Sequence, residues 1–379
     1  MKLNWGLIGG GEGSQIGATH RIAACLDGAF ELAAGALDID PERAREYAIR
    51  LGIPADRAYR DWREMLDGER SRADRLDLVT VATPNSLHFE ITKAFLEAGF
   101  DVLCEKPLTT TVEDAREIVR TAREHGRVCA VNYGYSGYAL VRHARAMVAR
   151  GDLGKIRVVV AEFAHGHHAN AADADNPRVR WRYDPKLAGV SSILADCGIH
   201  ALHLASFITA QSVTSLSADF SSTIAGRELE DDALVAFRMS GGAVGRLWTS
   251  AIAVGRMHGL AIQVFGEKGG LRWQQEQPNQ LHWTPVGGGT SIIERGVAGL
   301  SPEADRASRV TVGHAEGFFG AFGNIYADIA EQLRARSEGR KPSALACSYP
   351  TAEDGLQSIA AVHAAVASAR ARGAWVAVD

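Results

Sequence analysis

Leu3-Asn4-Trp5-Gly6-Leu7-Ile8-Gly9-Gly10-Gly11-Glu12-Gly13-Ser14 decides the fold: an apolar run breaks into glycines, and a helical pattern opens near Gly17. A strand, a glycine turn and a helix in that order let backbone N–H groups and a helix N-terminus approach a pyrophosphate. The third glycine of the G-x-G-x-x-G spacing falls on Ser14, so a slightly longer loop is expected, with Gly17 making the close helix–strand contact. Gly9, Gly11, Gly13, Ser14 and Ile16 are the candidate phosphate-loop contacts. A glycine turn alone can also be only a turn, and its meaning rests on the segments after it.

Next in the chain is a second apolar strand, Glu31 to Leu37, ending at Asp38, which lies 21 residues beyond Gly17 and 27 beyond Gly11. An acid at the tip of the second strand accepts hydrogen bonds from an adenosine ribose and repels a 2′-phosphate. NAD is therefore the expected cofactor, with NADP the alternative. Asp40 before Pro41 reads separately as the cap of the next helix.

Further out, helices are expected over Asp61–Leu66, Ser86–Glu97 and Val112–Glu124, and strands over Leu76–Ala82, Val102–Cys104 and Arg127–Val131. Strands spaced by amphipathic helices imply βαβ units and a parallel sheet, so residues 1–128 read as a Rossmann dinucleotide-binding domain. Two strand ends on its ligand edge carry polar groups. One is Thr83-Pro84-Asn85-Ser86-Leu87-His88, which offers Thr83, Pro84, Asn85 and His88 as cofactor contacts. The other is Glu105-Lys106-Pro107-Leu108, where the proline takes the chain out of the sheet and leaves Glu105 and Lys106 at the carboxyl end of a strand.

From Lys155 the pattern changes to runs rich in β-branched and aromatic residues: 156–163, 213–220, 233–239, 243–252, 260–265 and 281–284. Residues 129–379 are therefore expected to form an α+β domain around a large, mostly antiparallel open sheet, with glycine links at 240–242 and 267–270 short enough for hairpins. Leu260–Phe265 is apolar on both faces, which suggests a homodimer or homotetramer paired through this sheet.

Composition removes other classes. With 41 basic and 45 acidic residues the net charge is −4, which offers no stripe for a nucleic-acid backbone. No apolar stretch spans a membrane and Met1-Lys2-Leu3-Asn4 enters a strand without a signal-peptide pattern. Five scattered cysteines without a Cys-x-x-Cys pair read as reduced thiols in a cytoplasmic protein.

The chemistry of the second domain concentrates in Asp196-Cys197-Gly198-Ile199-His200, where an acid and a histidine at i and i+4 share one helix face. Histidine on such a helix is by default a core residue; an acid one turn upstream makes it a candidate proton carrier. The set Gly9-x-Gly11, Thr83-Pro84-Asn85-Ser86-Leu87-His88, Glu105-Lys106-Pro107-Leu108, Trp181-Arg182, Asp196-x-Gly198-x-His200 and Gly266-Glu267-Lys268-Gly269-Gly270 resembles the glucose-fructose oxidoreductase/inositol dehydrogenase/rhizopine catabolism (Gfo/Idh/MocA) family nearly end to end. The resemblance implies NAD(P)-linked redox of sugars, cyclitols or their derivatives. It also implies Lys106 as the active-site lysine near nicotinamide and substrate, His200 as acid/base, and Asp196 as a ligand of a substrate hydroxyl. The chain departs from the family in its longer glycine loop and in a histidine-rich strand end.

The residues carry the same mechanism independently. Oxidising a secondary alcohol needs a neutral base within reach of the hydroxyl proton, which suits the imidazole of His200, and a cation that stabilises the developing alkoxide, which suits Lys106. Tyr133, Tyr135, Trp181 and Arg182 are candidates for the wall of a sugar site, and His167 and His314 for substrate contacts. His165-Gly166-His167-His168 with Asp173 and Asp175 resembles a metal set, yet the spacing matches no tight motif and the reaction needs no metal, so none is expected. Two other activities fit this fold class: a redox-assisted glycosidase that retains NAD, and a non-catalytic NAD(P)-binding regulator.

Overall fold

A computed structural model describes residues 2–171 and 176–379, and the chain divides into two compact units. The first comprises Met1–Thr109, Glu113–Gly137 and Phe318–Gly355; the second comprises Thr110–Val112, Tyr138–Gly317 and Leu356–Asp379. The sequence suggests one division after residue 128, whereas packing returns 318–355 to the first unit. The cause is the helix Phe318–Ser337, whose Phe322, Ile325, Tyr326 and Ile329 enter the core formed by Trp5, Leu7, Phe30 and Leu103.

The first unit holds five parallel strands, β1 (Leu3–Gly9), β2 (Phe30–Ala36), β3 (Leu78–Ala82), β4 (Asp101–Cys104) and β5 (Cys129–Val131), in the order β2-β1-β3-β4-β5. Helices α1 (Gln15–Cys25), α2 (Pro41–Arg50), α3 (Trp62–Arg70), α4 (His88–Glu97) and α5 (Val112–Glu124) alternate with them. This is the Rossmann-type sheet expected, with its topological switch between β1 and β3, where α/β proteins place their ligands. Asp40 caps α2 by accepting from Glu42 and Arg43, and Asp61 caps α3 in the same way. β3 and β5 each start two residues later than expected, at Leu78 and Cys129, and a carboxylate bonds a backbone amide beside each start. Asp77 Oδ2 accepts the Asn4 N–H at 2.7 Å, and Asp101 Oδ1 accepts the Val128 N–H at 2.7 Å.

The second unit is built on nine strands: β6 (Ile156–Ala164), β7 (Val213–Ser221), β8 (Asp232–Met239), β9 (Val244–Ser250), β10 (Leu260–Gly266), β11 (Gly269–Gln274), β12 (Gln280–Pro285), β13 (Ser291–Glu294) and β14 (Val376–Ala377). Their order is β13-β12-β11-β10-β6-β9-β8-β7-β14, antiparallel throughout except for β6 beside β9. Strand alternation makes one face apolar and buried, with Val235, Leu247, Ala161, Ile262 and Trp273 on it. Helices α6 (Ala139–Ala149) and α7 (Ile199–Thr209) supply the opposing apolar surface. The segment 267–270 is only partly a link, since Gly269 and Gly270 already belong to β11. Before α7, Leu194–Gly198 forms a π-helical turn, in place of the α-turn assumed when Asp196 and His200 are counted as i and i+4. Among the described residues no helix is long and apolar enough to cross a membrane.

Candidate active site

In the first unit, the residues expected to hold a cofactor gather at the carboxyl ends of β1 to β4. The close helix–strand contact is made by Gly17: a β-carbon there would lie 2.1 Å from the Gly10 carbonyl oxygen. Gly11 is equally confined, because its β-carbon would come within 2.4 Å of Leu37 O at the end of β2. Ser14, where the third glycine of the motif would stand, caps α1 through Oγ, which accepts the Gly17 N–H at 3.1 Å. Gly13 has open space around it, and Ile16 packs on the core. Thr83 Oγ1 is buried with no hydrogen-bond partner among the described residues. A glycine cradle, a helix N-terminus, the Asp38 carboxylate and an orphaned hydroxyl fit a dinucleotide at the β1/β3 switch.

Two expected cofactor contacts face inward instead. His88 is fully buried, with Nδ1 2.7 Å from Pro107 O and Nε2 2.9 Å from Thr83 O. Both ring nitrogens are used on backbone, so His88 ties the end of β3 to the Lys106 loop and has no polar atom left for a cofactor. Two carbonyl acceptors require both nitrogens to donate, which is the imidazolium. Burial works against that charge, but Cys104 and the two carbonyls outweigh it and push the histidine up to about 9.

Glu105 is likewise turned into the unit, accepting from Asn132 Nδ2 and the Lys106 N–H and meeting His20 Nε2 at 3.0 Å. Burial would raise its carboxyl, yet the hydrogen bond and charge of His20, with Asn132 and Lys106, hold it below the usual range. Lys106 itself is half-buried and joined to Pro107 by a cis peptide. Tyr135, expected at the substrate, belongs to this unit and is buried with its ring 6.0 Å from Phe318.

In the second unit, the π-turn positions the acid and α7 the histidine. Asp196 Oδ2 lies 3.2 Å from Arg182 Nε, and the Arg182 guanidinium stacks 4.5 Å over the Trp181 ring, so three expected residues meet. His200 is buried with its ring 6.1 Å from Phe163, which also packs 4.6 Å from His258 and 6.3 Å from His165. Gly198 between Asp196 and His200 is required by packing: a β-carbon would reach Leu194 Cδ1 at 2.6 Å and Thr249 Cγ2 at 3.0 Å. The start of the turn hangs on buried Glu230, which accepts from Ser191 Oγ, Ser192 N and Leu194 N.

The histidine run lies beyond β6, in a turn where strand alternation no longer applies. His165 is buried, its ring stacked 4.5 Å from exposed His167, and its Nε2 lies 3.5 Å from Cys197 Sγ. Burial, then the neighbouring His167 and His168, push His165 down to about 4, so it is neutral at pH 7. His168 Nδ1 meets the Tyr183 hydroxyl at 3.1 Å. Stacked rings do not converge on a point, and among the described residues no cluster of three or more histidine, cysteine or acidic side chains could hold a metal. Asp173 and Asp175 lie outside the described residues. His314 is exposed on a loop pinned by Arg295, with Nδ1 3.1 Å from Thr311 Oγ1 and its carbonyl accepting from Arg295. Phe163, Glu230 and His258 escaped sequence reasoning, because their approach to the segment 191–200 or to each other joins residues far apart in the chain.

A family model described as an oxidoreductase family with an NAD-binding Rossmann fold, GFO_IDH_MocA, matches residues 3–133, and that of the GFO/IDH/MocA C-terminal domain matches 141–272. The chain is 36% identical to the uncharacterized oxidoreductase YfiI of Bacillus subtilis, over 99% of this chain and 96% of the relative. Levoglucosan dehydrogenase of Pseudarthrobacter phenanthrenivorans is 27% identical, over 99% of this chain and 98% of its own. Among solved structures, an inositol dehydrogenase homolog from Azotobacter vinelandii complexed with NAD+ superposes with a TM-score of 0.94 at 41% identity, covering 100% of this chain and 97% of that one. Its complex with NADH and myo-inositol gives 0.91 at 40%, covering 100% and 98%.

Proposed function

This chain belongs to the GFO/IDH/MocA oxidoreductase family and is an NAD-binding oxidoreductase of the sugar-dehydrogenase type, and from that premise we propose that it oxidises a secondary hydroxyl of a sugar, sugar derivative or cyclitol. The observation that carries the reading is the full-length likeness to an inositol dehydrogenase homolog whose structure holds NADH and myo-inositol. Asp38 at the tip of β2 supports NAD over NADP.

NAD, when bound, accepts the hydride. His200 takes the hydroxyl proton on its imidazole, and its burial against Phe163 fixes the ring that does so. Lys106 holds the developing alkoxide by its charge, which lowers the proton affinity of that oxygen. Asp196, oriented by Arg182, accepts a second substrate hydroxyl, and Trp181 under Arg182 presents an apolar surface to the ring. The alternation that buries one face of the nine-stranded sheet turns Leu234, Trp248, Phe265 and Ile292 to the other face, and Leu234, Phe265 and Ile292 are exposed. Two or four copies pair through that face in this reading.

The test follows nicotinamide absorbance with NAD or NADP and a panel of inositols, aldoses and glycosides, for wild type, Lys106→Ala and His200→Ala. Steady NAD reduction abolished by both substitutions is expected. Cleavage of glycosides without net reduction would overturn the dehydrogenase in favour of the redox-assisted glycosidase.

A further inference from the structure

A chain of buried hydrogen bonds runs through the first unit from β1 to the residue before Lys106, using groups that take no part in the hydride or proton transfer. Trp5 Nε1 lies 2.9 Å from Thr80 Oγ1, which lies 2.9 Å from the Tyr326 hydroxyl. That hydroxyl is 2.8 Å from His20 Nδ1, and His20 Nε2 is 3.0 Å from Glu105 Oε1. The other oxygen of Glu105 accepts the Lys106 N–H at 3.1 Å. Trp5, Thr80 and His20 are fully buried and Tyr326 almost so.

The two ends of the chain have a fixed polarity. An indole N–H can only donate, and an ionised carboxylate can only accept. Trp5 therefore donates to Thr80, and at the far end Glu105 accepts from His20 Nε2. His20 thus carries a proton on Nε2 and gives it to Glu105, whichever way the hydroxyls of Thr80 and Tyr326 point. The ring packs edge-on against Phe322 at 5.8 Å and Tyr326 at 5.9 Å. A carboxylate in such a place has no water to fall back on, and losing a donor moves it or neutralises it.

We propose that His20 is a positioning residue for Lys106: through its Nε2–H it orients the Glu105 carboxylate, whose second oxygen holds the Lys106 amide and thereby sets where the lysine stands. The inference rests on the proposed dehydrogenase reaction only in making Lys106 a residue of that reaction. Its structural content, a link from α1 to the lysine through a carboxylate, can be measured without turnover.

The experiment labels lysine with 15N in the full chain with NAD present and assigns the Lys106 amide by its disappearance in Lys106→Arg. His20→Phe removes the donor; His20→Gln returns a side-chain N–H to the same place. In His20→Phe the Lys106 amide should shift and kcat should fall about 10- to 100-fold, with the KM for NAD within about twofold of wild type. The acid limb of the kcat profile should also move to higher pH, because Glu105 without His20 ionises less readily. His20→Gln should restore both the amide shift and the profile. A folded His20→Phe with the amide shift and pH profile of wild type overturns the proposal, as does His20→Gln behaving like His20→Phe. Should His20→Phe fail to fold, Tyr326→Phe removes only the hydroxyl on Nδ1, and it must move the Lys106 amide in the same way or the proposal falls. If the wild type reduces no NAD with any polyol, the reading of the reaction fails, and the amide shifts alone decide the role of His20.

Discussion

Arg43 Nη2 lies 3.0 Å from Asp38 Oδ1, and the same oxygen accepts the Asp40 N–H at 2.9 Å. The acid expected to face an adenosine ribose thus also ties down a guanidinium that would otherwise welcome phosphate. Asp38→Ser should remove the repulsion and release Arg43 together, lowering the preference for NAD over NADP by about 100-fold in kcat/KM. Adding Arg43→Ala should return NADP use to the wild-type level; steady-state kinetics with both cofactors measure it.

Gly17→Ala would drive a methyl group into the Gly10 carbonyl, where backbone and not a mobile side chain must yield. The expected loss is about 2–4 kcal/mol of stability, with weakened NAD binding, read by urea unfolding and by titration of the folded variant. Gly13→Ala meets open space, so its cost comes from its backbone, whose φ of 79° strains any side chain, and not from packing.

Gly198→Ala tests the support of His200. Its methyl would meet Thr249 and Leu194, so α7 must shift and kcat should fall about 10- to 100-fold with the KM for NAD little changed. Thr249→Ser in the same chain removes the Cγ2 that the new methyl strikes and should recover part of the loss.

Two histidines tilt stability in opposite directions. His165 titrates near 4 when folded and at 6.5 unfolded, so between those values only the unfolded chain binds the proton, and stability is lost as pH falls from 6.5 towards 4. His88 titrates near 9 when folded, so its contribution is complete below 6.5 and is lost as pH rises towards 9. Urea unfolding across this range should show a maximum near neutrality, with each limb about 1–3 kcal/mol deep. His165→Asn should flatten the acid limb and His88→Met the alkaline one.

What the sequence carried plainly was local. The glycine loop, the acid at the tip of β2 and the helix caps at Asp40 and Asp61 depend on neighbours a few residues away, and Gly17 takes the contact that Ser14 could not make. His88 misled because it follows a polar strand tip, while the carbonyls that occupy it leave no trace in side-chain pattern. His20 and Tyr326 meet across 306 positions, so no spacing rule finds them. The expected α-turn at Asp196 is a π-turn, set by the hold of Glu230 on the amides before it.

The return of 318–355 to the first unit has a consequence for the order in which the protein is made. When residue 137 leaves the ribosome, all five strands of the parallel sheet exist, but the helix that covers Trp5, Leu7 and Phe30 is still unsynthesised. The nascent sheet must wait through residues 138–317 of the second unit with that surface uncovered. A gene cut after 137 would encode a nucleotide-binding unit without its lid of Phe322, Ile325 and Tyr326. Closure of this unit's core is thereby tied to synthesis of the helix Phe318–Ser337.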